Sequence, residues 1–94
     1  MRFEWDPEKD RRNLAKHGIG FDEALLVWRD TLRLTLFDRV ENGEERWIVV
    51  GLVGPVAVVV VVHAYPDPDD DTCIRIVSAR QATRQERRRY EEGE

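Results

Sequence analysis

The residues best suited to chemistry lie on either side of an aspartate-rich segment in the second half of the 94-residue chain. His63 ends a run of valines, and Arg75 and Arg80 lie in and just after the next hydrophobic segment. If neighbouring strands bring these three side chains to one sheet face, an imidazole stands beside two guanidinium groups. An imidazole can move a proton, and cations can stabilise the charge that develops on a phosphate. Metal-free cleavage of RNA requires this combination of groups.

The same residue types have simpler interpretations. At the end of a buried strand, His63 could hydrogen-bond to its own loop and have no catalytic role. The other histidine, His17, comes at the end of a predicted helix, where an imidazole is favoured by the helix dipole. The three tryptophans are predicted to be core or edge anchors, with base stacking as the alternative. They are Trp5, Trp28 and Trp47.

No metal or cofactor motif stands out. Four aspartates lie between residues 67 and 71, and they could attract a divalent cation, but the spacing of a defined calcium loop is missing. We therefore predict a solvated loop there. A single cysteine, Cys73, excludes an internal disulfide and a cysteine-based zinc site. We expect no metal and no cofactor.

The charge distribution is more informative than the total. The net charge is −4, which argues against a nucleic-acid partner, yet residues 75–90 contain six arginines and one acid. This asymmetry gives one part of the surface a positive potential. The basic C-terminal segment, which includes Arg84 and Arg87, is either a phosphate-binding stripe or a solvated helix whose charge suits the helix dipole.

Periodicity and capping signals predict the elements that position these residues. A helix is expected from the Asp6 cap to about residue 16, a second over 21–28, and a third over 84–92 after a Thr83–Glu86 capping box. Four strands are expected. The first begins at residue 31, the second covers 46–52 after an Asn42-Gly43 turn, the third covers 56–63 in the centre of the sheet, and the fourth covers 72–78. Short connections make the four-stranded sheet antiparallel, in a single α+β domain over 1–94.

Membrane insertion is not expected, because the longest apolar run, residues 56–62, is far shorter than the roughly 20 residues of a membrane helix. The N-terminus is mixed and charged and does not look like a signal peptide. These features predict a cytoplasmic protein.

Short motifs along nearly the whole chain resemble those of the BrnT toxin family. They are Phe3-Glu4-Trp5-Asp6, Lys9, Asn13, Lys16-His17-Gly18, Phe21-x-Glu23-Ala24, Asp30, Asp38, Gly43-Glu44-x-Arg46, Ile74 to Arg80, Ala82, Glu86-Arg87 and Tyr90. Each motif is short, but their order is specific.

The resemblance implies a RelE-like α+β fold and a ribonuclease toxin of a prokaryotic type II toxin–antitoxin pair, which cuts RNA and shuts down translation. It also implies neutralisation by a BrnA-like ribbon-helix-helix antitoxin, through which alone the pair binds DNA and represses its operon. The polar positions of the family pattern fall at His17, Glu44, His63, Arg75 and Arg80.

We assign expected roles on this basis. His63 is the expected general acid or base, and Arg75 and Arg80 are expected to clamp the phosphate. Supporting roles are expected for His17 and Glu44. The remaining RNA-binding candidates, for the flanking backbone, are Arg84 and Arg87.

Two positions depart from the family pattern. Many members carry Thr-x-Arg after the central strand, whereas this chain has Pro66 where that arginine is expected. Loss of one phosphate-binding cation can cost roughly 2.7–4 kcal/mol of transition-state stabilisation. Gly20 replaces a frequent serine cap, which costs only a few tenths of a kcal/mol. Pro66 leaves open an alternative function, a weakly catalytic partner that binds the antitoxin and acts mainly in transcriptional autoregulation.

Overall fold

A computed structural model describes residues 1–93. In these residues the chain forms three α-helices, one short 3₁₀ helix and five strands. The elements are β1 (Arg2–Glu4), α1 (Pro7–His17), α2 (Phe21–Ala24), the 3₁₀ helix (Leu25–Arg29), β2 (Leu34–Glu41), β3 (Glu44–Val53), β4 (Ala57–Ala64), β5 (Cys73–Gln81) and α3 (Arg84–Glu92). Within the described residues, no helix has the length and apolar character needed to cross a membrane.

The sheet confirms the α+β class and corrects the predicted sheet. Its order is β1-β5-β4-β3-β2, with β1 parallel to β5 and the other neighbours antiparallel. The expected four-stranded antiparallel sheet is therefore a five-stranded mixed one. The extra strand has three residues, which is too short to show an alternating pattern. It pairs with Cys73–Arg75, a partner so distant in sequence that no local turn signal announces it.

The first helix follows its sequence signals closely. The Asp6 side chain accepts a hydrogen bond from the Glu8 amide at 2.9 Å, and Pro7 begins the helix. Gly18 ends it in the left-handed conformation that favours glycine, and its amide bonds to the Leu14 carbonyl at 2.9 Å. The end of α1 therefore places His17 at the surface beside β5.

The second predicted helix is a correction. Residues 21–28 form one α-helical turn followed by the 3₁₀ helix. Phe21, Ala24 and Val27 are fully buried, so the buried positions repeat every three residues. A 3₁₀ helix has three residues per turn, and this repeat suits it better than the 3.6-residue spacing assumed from the sequence.

The start of strand β2 also differs from its prediction. Strand β2 begins at Leu34, and Leu32 is 72% exposed instead of belonging to the buried face. The reason is Asp30, whose side chain accepts from the Leu32 amide at 2.9 Å and whose carbonyl accepts from the Arg33 amide at 3.2 Å. These bonds hold residues 31–33 in a turn. The Asn42-Gly43 turn that follows β2 forms as predicted, with φ of 52° and 76°.

The two faces of the sheet are packed differently. We call the helix face the side covered by α1, α2 and the 3₁₀ helix, and the open face the opposite side. The main core fills the helix face, and central strand β4 is buried along almost its whole length, as predicted. On the open face a smaller cluster of Val50, Val58 and Val60 is covered by Tyr90 of α3.

Helix α3 is fixed at both ends. Its first turn is closed by the predicted capping box, in which Glu86 accepts from the Thr83 amide at 2.9 Å and the Thr83 hydroxyl accepts from the Glu86 amide at 3.2 Å. Farther along, the Tyr90 hydroxyl donates to Asp30, which also accepts from the Leu52 amide at 2.8 Å. The hydrogen bond to Asp30 raises the pKa of Tyr90 to about 12, with burial adding to the shift. Asp30 thus joins the 3₁₀ helix, β3 and α3.

Candidate functional site

The strand register separates the predicted catalytic residues. Residues paired across neighbouring antiparallel strands point to the same side. Arg75 pairs with Ala64 and Arg80 with Val60, so both arginines lie on the open face, whereas His63 lies between these positions and points to the helix face. The expectation that all three share one sheet face is therefore not met.

His63 is a core residue. Its side chain is 1% exposed and stands edge-on to Trp28 and Tyr65, with ring centroids 5.2 Å and 5.6 Å away. Nδ1 lies 3.3 Å from the Val61 carbonyl oxygen of the same strand. Burial lowers the pKa of His63, which keeps the ring neutral at pH 7. This placement matches the simpler interpretation, except that the partner belongs to the strand instead of the loop.

The two arginines of the open face are held by carboxylates. Arg75 lies 3.4 Å from Glu4 and 3.3 Å from Glu44, and it is 41% exposed. The structure therefore joins Glu44, a predicted supporting residue, to a predicted phosphate clamp. Glu4 is a partner that sequence analysis missed, because its proximity depends on the unpredicted pairing of β1 with β5.

Arg80 makes the stronger pair. Its Nη1 and Nη2 donate to the two oxygens of Glu86 at 2.7 and 2.9 Å, the bidentate geometry that suits a guanidinium. The hydrogen bond from Arg80 lowers the pKa of Glu86 to about 2, with help from the Thr83 amide. The capping box and the ion pair share one carboxylate, so α3 fixes the position of Arg80.

Two residues near these arginines, Ser78 and Arg46, were not selected as candidates from the sequence. Ser78 pairs with Val62, between the partners of Arg75 and Arg80. Those partners, Ala64 and Val60, are four residues apart, which separates the two arginines by roughly 13 Å along the strand. This spacing lets them bind two different phosphates of one RNA strand, and the clamp on a single phosphate stays a prediction. From β3, Arg46 adds a guanidinium that is 14% exposed and lies 3.3 Å from Glu44.

The two candidate arginines of α3, Arg84 and Arg87, lie apart from the arginines of β5. Arg84 and Arg87 line a shallow depression of about 620 Å³ on α3 with Gln85, Arg88 and Glu91. Arg87 donates to the Val56 carbonyl at 3.0 Å. Both are exposed, which fits either predicted interpretation of the helix.

A second cationic surface lies where α1 crosses the β5 edge. Lys9, Arg12 and Lys16 follow one another at intervals of three and four residues, which places them on one face of the helix. Together with His17 they line a groove of about 220 Å³ that is closed below by Val77 and Ser78. This α1 groove was missed, although the helical spacing of its cations was visible in the sequence.

Asn13 holds α1 against this edge. Its amide nitrogen donates to the Ala79 carbonyl at 2.8 Å and to the Ile19 carbonyl at 2.9 Å, and its oxygen accepts from the Ala79 amide at 3.0 Å. These bonds satisfy an edge that β1 is too short to cover. The side chain is 6% exposed, so the α1 groove sits on a rigid junction.

The aspartate segment behaves as a turn. Asp67 accepts from the Asp69 amide at 3.0 Å, and Asp70 accepts from the Thr72 amide at 2.9 Å. These local bonds match the predicted solvated loop. Over residues 1–93, no group of three or more histidine, cysteine, aspartate or glutamate side chains converges as metal ligands.

These features define a small α+β protein with two adjoining cationic surfaces, the arginines of the open face and the α1 groove. The sequence profile described as "Ribonuclease toxin, BrnT, of type II toxin-antitoxin system" matches residues 5–86. The chain therefore belongs to the BrnT ribonuclease toxins of type II toxin–antitoxin systems.

A solved structure agrees with this assignment. The crystal structure of the Brucella abortus ribonuclease toxin BrnT has the same fold, with a TM-score of 0.64 and 23% sequence identity. The match covers 89% of this chain and 99% of the Brucella chain. No curated protein sequence matches the chain.

Proposed function

We propose that this chain is a metal-independent endoribonuclease that binds single-stranded RNA along β5 and cleaves it where β5 meets α1. One observation carries the proposal. Arg75, Ser78 and Arg80 form a row on the open face, and Ser78 also borders the α1 groove. A polyanion lying on this row meets fixed guanidinium groups on one side of the edge and the cations of α1 on the other.

The α1 groove is favoured as the centre of the reaction by its free charge. Arg75 and Arg80 are already paired with carboxylates, and a phosphate must compete with those partners. In the α1 groove Arg12 lies 3.8 Å from Glu8, but within residues 1–93 Lys9 and Lys16 make no ion pair. A phosphate in the α1 groove therefore gains the full attraction of these cations, which then stabilise the additional negative charge of the transition state.

The histidine that suits proton transfer is His17. Of the two histidines, it alone reaches the surface, and it lines the same groove as Ser78. As a base it removes the proton of the ribose 2′-hydroxyl, whose oxygen attacks the adjacent phosphorus. The bond from phosphorus to the 5′-oxygen breaks, and that oxygen takes up a proton from the imidazolium. The products are a 2′,3′-cyclic phosphate and a 5′-hydroxyl. This assigns to His17 the role first expected of His63.

The biological role follows from the family. Cleavage of RNA shuts down translation, and a BrnA-like ribbon-helix-helix antitoxin neutralises the toxin. An acidic antitoxin segment would occupy the same arginines and exclude RNA by competition. Contact with DNA is proposed only through the antitoxin. The α3 residues Arg84 and Arg87 are exposed and remain candidates for flanking RNA or for this partner.

Cleavage of a long purified RNA in excess chelator tests the proposal. We expect the wild type to cut, His17→Asn to lose at least 100-fold in rate, and His63→Phe to cut at close to the wild-type rate. Chelator-sensitive cutting would contradict metal independence. A loss of activity in folded His63→Phe with full activity in His17→Asn would contradict the assignment of the histidine.

A second function is favoured by the ion pairs of the open face. Because both β5 arginines already have carboxylate partners and Pro66 replaces an expected arginine, the chain could bind its antitoxin and repress the operon with little cleavage of its own. In that case the wild type cuts no RNA even at micromolar concentration, while the toxin–antitoxin complex still binds operator DNA. Restored cutting by Pro66→Arg would then identify the missing cation.

A further inference from the structure

An acidic groove with aromatic walls lies at the opposite end of the sheet from α3. It is formed by the β2–β3 hairpin and the loop after β4, and its volume is about 590 Å³. Trp47 and Tyr65 supply rings, with centroids 6.4 Å apart, and Pro66 adds a third apolar wall. Phe37 stacks edge-on against Trp47 at 5.4 Å and is 51% exposed. We call this the aromatic groove.

The aromatic groove is where a continuous row of rings reaches solvent. Inward from Tyr65, the row continues through His63 to Trp28 and Phe3, each ring edge-on to the next. The inner rings pack against the main core, whereas Trp47 belongs to neither core cluster. The outer rings, Trp47 and Tyr65, are therefore supported by the packed inner rings and remain partly exposed.

Every charged side chain that lines the aromatic groove is acidic. Glu44 is engaged by Arg75 and Arg46, but Glu45 and Asp71 make no ion pair with any residue from 1 to 93. Burial and the charge of Asp71 raise the pKa of Tyr65, so its hydroxyl stays a neutral donor at pH 7. The groove thus combines uncompensated negative charge with partly exposed aromatic rings.

This chemistry selects the occupant. With Pro66 in place of the arginine of the family pattern, no cation among residues 1–93 lines the groove and its carboxylates repel phosphates, so the groove of this chain does not continue the proposed RNA path. A neutral apolar segment would cover the rings and leave two carboxylates desolvated without a partner. A guanidinium satisfies both features, because it stacks on aromatic faces and donates in a fork to a carboxylate. The volume lies within the range of specific ligand sites and admits several residues of extended chain.

We propose that the aromatic groove binds an arginine-bearing segment of a protein partner. Charge complementarity between Glu45, Asp71 and a guanidinium fixes the kind of partner, and stacking on Trp47 gives the groove preference for arginine over lysine. The inference is independent of RNA cleavage, because none of these three residues belongs to the proposed cleavage site.

A matched set of three peptides tests the groove on the full chain. The first is acetyl-Gly-Arg-Ser-Arg-Gly-amide, the second replaces both arginines with citrulline, and the third replaces them with lysine. Citrulline keeps the planar shape of arginine without its charge. Titrations are followed by the NMR signal of the Trp47 indole N–H. We expect saturable shifts with the arginine peptide, at least tenfold weaker binding of the citrulline peptide, and intermediate binding of the lysine peptide.

Variants of the protein locate the contact. Glu45→Gln combined with Asp71→Asn should weaken arginine-peptide binding at least fivefold and leave the rate of RNA cleavage and the thermal unfolding midpoint unchanged. Glu92→Gln, which removes an exposed acid on α3, should change neither binding nor cleavage. Equal binding of the citrulline peptide, absence of saturable shifts, or tighter binding of a single-stranded oligonucleotide in the same groove would each overturn the proposal.

Discussion

The helix face of the sheet buries His63 among aromatic rings, whereas the open face holds Arg75 and Arg80 in ion pairs that solvent still reaches. His63 belongs to β4, and both arginines belong to the neighbouring strand β5. His63 is adjacent to Ala64, the partner of Arg75, and adjacent residues of a strand point to opposite faces. On the helix face, the buried polar side chains are the neutral imidazole of His63 and the hydrogen-bonded amide of Asn13. On the open face, charge is kept and fixed by carboxylates. The difference shows that residues on neighbouring strands do not form one site when their side chains point to opposite faces of the sheet.

The largest effect is expected on the open face and concerns activity. Replacing Arg80 with glutamine removes a cation next to the cleaved strand and should lower the rate of RNA cleavage by about 10²–10³-fold. Arg88→Gln, on the exposed side of α3, is the matched control and should retain nearly full activity. Circular dichroism verifies that both variants are folded. Equal rates for the two variants would show that the open face contributes only general positive charge.

On the helix face the largest effect concerns stability. His63→Ala leaves a cavity between Trp28 and Tyr65 and should lower the free energy of unfolding by about 2–4 kcal/mol. His63→Phe fills most of that space and should cost much less, because the environment is aromatic. Urea unfolding measures both values. If the alanine variant were as stable as the wild type, the packing described for His63 would be incorrect.

The pH dependence of this stability distinguishes packing from charge. Burial lowers the pKa of His63 in the folded state. Just below about pH 6.5, the imidazole is therefore protonated in the unfolded state but stays neutral in the folded state. Stability contributed by neutral His63 is complete above pH 6.5 and is lost as the pH falls below it. The wild type should therefore lose stability relative to His63→Phe between pH 7.5 and pH 5. A difference that does not change over this range would mean that the ring titrates normally.

Much of the fold could be predicted from local signals. The caps of α1 and α3, the Asn42-Gly43 turn and the buried central strand depend on residues close together in sequence, and they formed as expected. Strand β1 escaped prediction because its only partner lies some seventy residues away. The 3₁₀ helix was not predicted because Phe21, Ala24, Leu25 and Trp28 follow the spacing of an α-helix, whereas the buried Val27 lies outside that pattern.

The site was harder to predict, for a physical reason. Arg75 points away from its buried neighbours Ile74 and Ile76, as the alternation of a strand requires. The register between β4 and β5 shifts between Val62 and His63, however, and such an irregularity leaves no mark in either strand alone. Whether His63 shares a sheet face with Arg75 or with Arg80 depends on this shifted register. The sequence alone therefore could not group the three side chains correctly. The cations of the α1 groove, in contrast, could be grouped from helical spacing alone.

The attachment of α3 to the open face gives a smaller expected effect. Tyr90→Phe removes the hydrogen bond to Asp30 and should lower the free energy of unfolding by about 1 kcal/mol. The bond raises the pKa of Tyr90 to about 12 from 10, so its contribution is complete below pH 10 and is lost as the pH rises through 12. The difference between wild type and variant should shrink over that interval. A constant difference would assign the effect to packing of the ring.

The smallest effect tests whether the carboxylates of the open face restrain RNA binding. Glu86→Gln keeps a residue that suits the capping box but removes the charge that neutralises Arg80. We expect affinity for a non-cleavable 2′-deoxy oligonucleotide to rise about threefold, with a steeper dependence on salt, because another cation becomes free to bind phosphate. Fluorescence anisotropy at several salt concentrations measures both quantities. Glu91→Gln changes the net charge equally on the same helix without releasing Arg80. If both variants bound RNA equally well, net charge would explain the gain, and the ion pair would have no specific restraining role.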